Sequence, residues 1–121
     1  MEKPLHIHVA EAVGWFRVER VSGGIMLPDA VHPCRWKGQP PGPVVIGEKP
    51  VCVPRYDLEW AATGPLIERL GIDVWLDASD QHVWLARRGH FDGPCPEGGG
   101  PTPLTAVCNL ILALHAAGKL P

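Results

Sequence analysis

Apolar and polar positions change period several times along this chain. Pro4 to Val13 is expected to be a short helix, because Pro4 suits a first turn, Ala10 and Ala12 are strong helix formers, and Gly14 can take the left-handed stop. The run His6-Ile7-His8-Val9 also alternates as a strand would, and helix is the preferred reading. Phe16 to Val21 sets Phe16 and Val18 against Arg17 and Glu19, and Ser22-Gly23-Gly24 then offers a turn before Ile25-Met26-Leu27, which predicts a hairpin. From Pro28 to Pro54, prolines 33, 40, 41, 43 and 50 interrupt every helical pattern. That stretch reads as a long loop, in which Val44-Val45-Ile46 and Val51-Cys52-Val53 could add edge strands and Trp36 plugs the loop onto the core.

Asp57 to Leu70 reads as the second helix, capped by Asp57, with Leu58, Ala62, Leu66 and Leu70 on one stripe and a kink or restart at Pro65. Gly71 ends it. Two strands follow, Ile72 to Asp77 and His82 to Arg87, joined by the polar turn Ala78-Ser79-Asp80-Gln81. A turn centred between Ser79 and Asp80 pairs Asp77 with His82, Leu76 with Val83, Trp75 with Trp84 and Val74 with Leu85. One face then carries Val74, Leu76, Val83 and Leu85, and the other carries Trp75 and Trp84 among polar heads. Gly89 to Pro101 is a second irregular stretch. Thr102 and Pro103 open a last helix that runs to about Ala117 and stops at Gly118. Leu104, Val107, Cys108, Ile111 and Leu114 form its main apolar stripe, and Leu110 and Leu112 widen it, which suggests a homo-oligomer.

With 121 residues the chain is long enough for one core, so a single domain over 1–121 is expected, with irregular loops at about 28–50 and 89–101. The expected class is α+β, a small antiparallel sheet with helices on both faces, an α-β-α sandwich. Eleven basic against thirteen acidic residues give a net charge of −2, and no basic run marks a surface for double-stranded nucleic acid. The N-terminal stretch lacks the pattern of a secretory signal, and no apolar segment approaches the ~20 residues that span a bilayer. No membrane partner is expected, and the cytoplasm is the expected location.

The four cysteines, Cys34, Cys52, Cys95 and Cys108, match no zinc-ribbon or redox spacing, so reduced thiols are expected. A metal site from His32, Cys34, His90 and Cys95 would require two loops to converge, and neither metal nor cofactor is expected. No serine, cysteine and histidine set or carboxylate pair picks out a nucleophile or an acid and base, so the chain is not read as an enzyme. Gly98, Gly99 and Gly100 lead into a helix N-terminus, where free amides can meet an anion, although a flexible helix entry is the plainer reading. Arg55, Arg87 and Arg88 supply positive charge, and Tyr56, Trp60 and Trp84 supply aromatic faces. Those residues, with Gly100 and Thr102, form the candidate site for a small anionic nucleotide-like ligand.

Three segments carry a family likeness: Val9-Ala10-Glu11-Ala12-Val13-Gly14-Trp15, then Val53-Pro54-Arg55-Tyr56-Asp57 with Trp60-Ala61-Ala62, and Thr102-Pro103-Leu104-Thr105-Ala106-Val107-Cys108. In this order the chain resembles the phage ABA sandwich family, small bacteriophage proteins with an α-β-α layered domain. The resemblance implies phage origin and that layered fold, and it implies no activity. The long Pro/Gly loops depart from the family. The function expected from these features is an anti-defence accessory protein in the host cytoplasm that sequesters a nucleotide-derived immune signal without altering it. The alternative is an accessory factor that docks a host or phage protein.

Overall fold

The computed structural model describes residues 3–25, 34–42, 50–77, 83–88 and 96–120. Two compact units divide the chain, Met1–Pro54 and Arg55–Pro121. Among the described residues there are three helices and two antiparallel three-stranded sheets, so the α+β class expected from the sequence is found.

In the first unit, Pro4 is extended and its carbonyl accepts from the amides of Ile7 and His8 at 3.0 and 3.3 Å. Helix α1 therefore starts behind it, at Leu5–Ala12, and buries His6, Ile7, Val9 and Ala10, spacings that fit a helix and not a strand. Strand β1, Phe16–Ile25, pairs with β2, Cys34–Gln39, and β2 pairs with β3, Val51–Cys52. Ser22-Gly23-Gly24 is thus part of a strand and not the expected hairpin turn, and the partner comes from the stretch read as a loop. Proline excludes helix more strongly than it excludes an extended strand, and β2 itself, Cys-Arg-Trp-Lys-Gly-Gln, contains none. Trp36 lies inside β2, where its carbonyl accepts from Val53 N at 2.9 Å. The expected edge strand at Val51–Val53 is seen as β3, whereas Val44–Ile46 lies outside the described residues.

Between Phe16↔Gln39 and Glu19↔Lys37 strand β1 carries one residue more than its partner, a bulge in which Arg17 takes φ +54°. Gly38 opposes it, and a Cβ there would stand 3.0 Å from Val18 Cγ2. Cys52 is disulfide-bonded, which overturns the expectation of four reduced thiols, since sequence spacing does not limit which cysteines meet in space.

In the second unit, helix α2 spans Trp60–Leu70 and begins three residues later than expected. Glu59 holds the cap position, because the Asp57 carboxylate is taken by Arg55. The helix continues through Pro65 without a restart, and Gly71 closes it in the left-handed conformation (φ 65°, ψ 47°). Its buried face is Thr63, Leu66 and Leu70, while Leu58 lies outside the helix and is exposed.

Strand β4, Ile72–Asp77, pairs with β5, Val83–Arg88, and β5 pairs with β6, Glu97–Gly100. The register is Trp75↔Leu85, Leu76↔Trp84 and Asp77↔Val83, one residue from the expected pairing. Asp77 is opposite Val83 and not His82, and a slip of one moves every β5 side chain to the other face relative to β4. Trp75 and Trp84 therefore lie on opposite faces. His82 and the turn residues lie outside the described residues.

Helix α3, Pro103–Ala116, starts and stops as the sequence predicts: Thr102 Oγ1 accepts from Thr105 N at 3.1 Å, and Gly118 takes φ +69°. It lies on the sheet face that carries Ile72, Ala86, Gly98 and Gly100. A Cβ on Gly98 would stand 2.2 Å from the Ala106 carbonyl oxygen and 2.3 Å from Leu110 N, so strand and helix meet backbone to backbone. That approach buries Leu104, Ala106, Val107, Cys108, Leu110, Ile111 and Leu114. Leu110, cited above for an oligomer, is wholly buried within one chain, and Leu112 is half-buried.

This contact predicts a contrast between adjacent glycines. Gly98→Ala should destabilise the protein by about 2 kcal/mol or more through overpacking against backbone that cannot turn aside. Gly99→Ala, whose Cβ would make ordinary contacts with Leu85 Cδ2 at 3.5 Å and the Trp84 carbonyl oxygen at 3.7 Å, should change stability by less than about 1 kcal/mol. Equal urea midpoints for the two variants would contradict the packing.

Candidate functional site

The segment between Pro54 and α2 folds into a tight knuckle because nearly every polar group in it has a local partner. The Arg55 carbonyl accepts from Leu58 N and Glu59 N at 2.9 and 2.7 Å, and Arg55 N donates to Glu59 Oε2 at 3.2 Å. The Arg55 guanidinium grips Asp57 with both prongs, Nε to Oδ1 at 3.0 Å and Nη2 to Oδ2 at 3.1 Å. Thr63 Oγ1 donates to the Tyr56 carbonyl from one turn into the helix. Tyr56 is buried beneath these bonds, and Leu58 and Trp60 project from them, 50% and 54% exposed.

The knuckle brings together Arg55, Tyr56 and Trp60 of the candidate residues, but with altered chemistry. The Arg55 charge is answered by Asp57, and Tyr56 has no open face for stacking. Trp60 alone keeps the exposed aromatic surface that the sequence suggested. The apolar spacing of the sequence puts Leu58 on the buried stripe of α2; the spacing of Arg55 and Glu59, which closes the turn ahead of the helix, is the signal that places it outside.

The other candidates lie elsewhere in the second unit. Trp84 pairs with Leu76 and with Gly100, so Trp84 and Gly100 are neighbours, followed in the chain by the Thr102 cap. The glycine run does not form a loose cradle: Gly98, Gly99 and Gly100 are strand residues, and Asn109 Nδ2 donates to the Gly99 carbonyl at 2.7 Å. At the start of α3, Thr105 N donates to the Thr102 hydroxyl and Ala106 N to the Thr102 carbonyl. Arg87 is exposed on the opposite sheet face from Trp84, in a row with Asp73 and Glu97. Arg88 lies on the Trp84 face, where Nε donates to the Leu70 carbonyl at 3.0 Å and Nη1 to the Lys119 carbonyl at 3.4 Å. It satisfies carbonyls at the ends of α2 and just beyond α3, where a cation is favoured by the helix dipoles.

No group of three or more histidine, cysteine or acidic side chains suited to a metal occurs among the described residues, and His32, His90 and Cys95 with the Cys34 side chain lie outside them. No helix among them is long and apolar enough to cross a membrane. Cys108, a free buried thiol, has its pKa pushed up to about 12 by desolvation and, less, by the Asp57 carboxylate. A thiol so held is protonated and unreactive near neutral pH.

Two outcomes follow from these placements. Arg88→Gln should lower stability by roughly 1–3 kcal/mol through lost charge-assisted bonds, whether or not any anion is present, as read by denaturant unfolding. Because the Cys108 thiol titrates higher folded than unfolded, it contributes stability that is complete below about pH 9 and is lost as pH rises toward about 12. Cys108→Ala, although less stable at neutral pH, should therefore lose less of its remaining stability between pH 8 and about pH 11 than the parent does; parallel curves would contradict the burial of the thiol. In comparison with known proteins, no family matches the chain, and no curated protein matches it.

Proposed function

We propose that this chain is a non-catalytic accessory protein that acts by docking another protein, with the Leu58–Trp60 knuckle as its anchor. The observation that carries this reading is that two large apolar side chains stand half-exposed on a turn locked by its own hydrogen bonds. Exposure of tryptophan and leucine on a rigid support is what a binding hot spot needs, because little conformational freedom is lost when a partner closes over them. Internal pairing of Arg55 with Asp57, together with the Glu59 carboxylate, gives the knuckle a net negative charge, which disfavours a phosphate there. The likeness to small phage proteins fits an accessory role with a host or phage protein as that partner.

A second reading, sequestration of a nucleotide-derived signal, is favoured by one juxtaposition. Half-buried Trp84 lies in one row between Gly100, over which Thr105 packs, and Leu76, which is 44% exposed. A planar base would reach the indole from the Leu76 side.

The two are separated by placing a photo-crosslinking benzophenone residue at position 60 and, as a control, at the exposed His115. In cells that make the protein, position 60 should give a discrete protein adduct that Leu58→Ser removes, and position 115 should not give that adduct. The same adducts from both positions, or none from position 60, would overturn the docking reading. A melting-temperature rise with a cyclic dinucleotide, a cyclic trinucleotide or an ADP-ribose derivative, abolished by Trp84→Ala, would establish sequestration in its place.

A further inference from the structure

The sheet of the first unit has two unlike faces. A Cβ on Gly38 would point at Val18 Cγ2, so these two share a face, and on it Gly38 and Val53 are buried. Arg20 and Trp36, opposite each other, belong to that face, and each is engaged in an interaction. The other face follows from the register: Phe16 opposite Gln39, Glu19 opposite Lys37, Lys37 opposite Cys52, and Arg35 two residues along β2 from Lys37. No residue of this row is buried, and Glu19 and Arg35 are exposed. Arg17, in the bulge between Phe16 and Glu19, is exposed as well, and it holds a left-handed position that glycine would take without strain.

The charges here are unanswered. Among the described residues, the side chains of Arg17, Arg35 and Lys37 make no hydrogen bond or ion pair, and Glu19, although opposite Lys37, makes none either. Three bases against one acid leave the surface positive in a chain whose net charge is −2. No basic run is needed for this, because strand pairing gathers the bases from two separate segments.

From this face we infer a second, independent function: the exposed face of the β1–β2 sheet binds single-stranded nucleic acid. Phosphates of an extended strand lie along Arg17, Lys37 and Arg35, whose donors are unused within the fold. Phe16, half-buried at the end of the row, offers its ring to an unpaired base. That ring selects the occupant. An acidic peptide would meet the bases and leave Phe16 unused, and the bases of a duplex, stacked on one another, have no face to give it. Glu19 repels phosphate and keeps the affinity modest. None of the knuckle residues takes part, so this function stands or falls separately from the docking of Leu58 and Trp60.

The test follows the anisotropy of a fluorescent oligothymidylate of about twelve nucleotides as full-length protein is added without reductant. The strand should bind, with log affinity falling against log salt at a slope of about −2, the value for three phosphate contacts. Arg35→Gln combined with Lys37→Gln should weaken binding roughly tenfold or more and bring the slope to about −0.7, while melting at nearly the parental temperature, since neither side chain has a partner to lose. Phe16→Leu should weaken binding by roughly tenfold at an unchanged slope. Glu19→Gln should tighten it, and Trp60→Ala should bind as the parent does. Absence of binding at about 50 mM salt, a duplex or a labelled polyglutamate that binds as tightly, parental affinity and slope in the double variant, or parental affinity in Phe16→Leu would each overturn the proposal.

Discussion

The second unit depends on the distance at which α3 lies on β6. Where a side chain would normally separate helix from strand, Gly98 puts backbone against backbone at Ala106 and Leu110. Every apolar residue that points from α3 toward the sheet is thereby brought into range of Ile72, Ala86 and their neighbours, and the helix becomes buried around most of its girth within one chain. Helix burial of this kind supplies most of the stability that isolated helix propensity does not. A glycine run at a helix entry can thus serve packing, where the same letters in another setting serve an anion.

The same closeness explains how the polar groups are used. When two helices end against one small sheet, their last carbonyls need donors, and Arg88 supplies them at Leu70 and Lys119. At the other end of α3, the Thr102 hydroxyl answers the free amide of Thr105. Arg55 and Asp57 answer each other, and the Asp57 field reaches Cys108 in the core. Arg55 and Arg88, which looked available for a ligand, are engaged in closing the fold, and beside exposed charges such as Glu68, Arg69, Asp73 and Arg87 the second unit keeps four large apolar side chains exposed: Leu58, Trp60, Trp75 and Leu76. The exposed apolar surface is what supports the docking proposal.

The knuckle presents side chains on a turn whose main chain is already bonded, so a partner that closes over Leu58 and Trp60 would have to supply a pocket.

What the sequence determined by itself was local. Thr102, Pro103 and Gly118 marked α3 almost to the residue, Pro4 marked the start of α1, and Gly71 marked the stop of α2, because caps and left-handed positions are decided by the residue and its nearest neighbours. The α+β class was readable from the change of period along the chain. The tertiary structure decided everything that depends on partners distant in sequence. It drew β2 out of a proline-rich stretch, because a strand is made by its neighbour as much as by its own residues. It moved the β4–β5 register by one and so separated Trp75 from Trp84, and it gave Cys52 a disulfide. It assigned Arg55 and Arg88 to internal acceptors, since a charged side chain near a fold's unsatisfied groups is held by them before any ligand arrives.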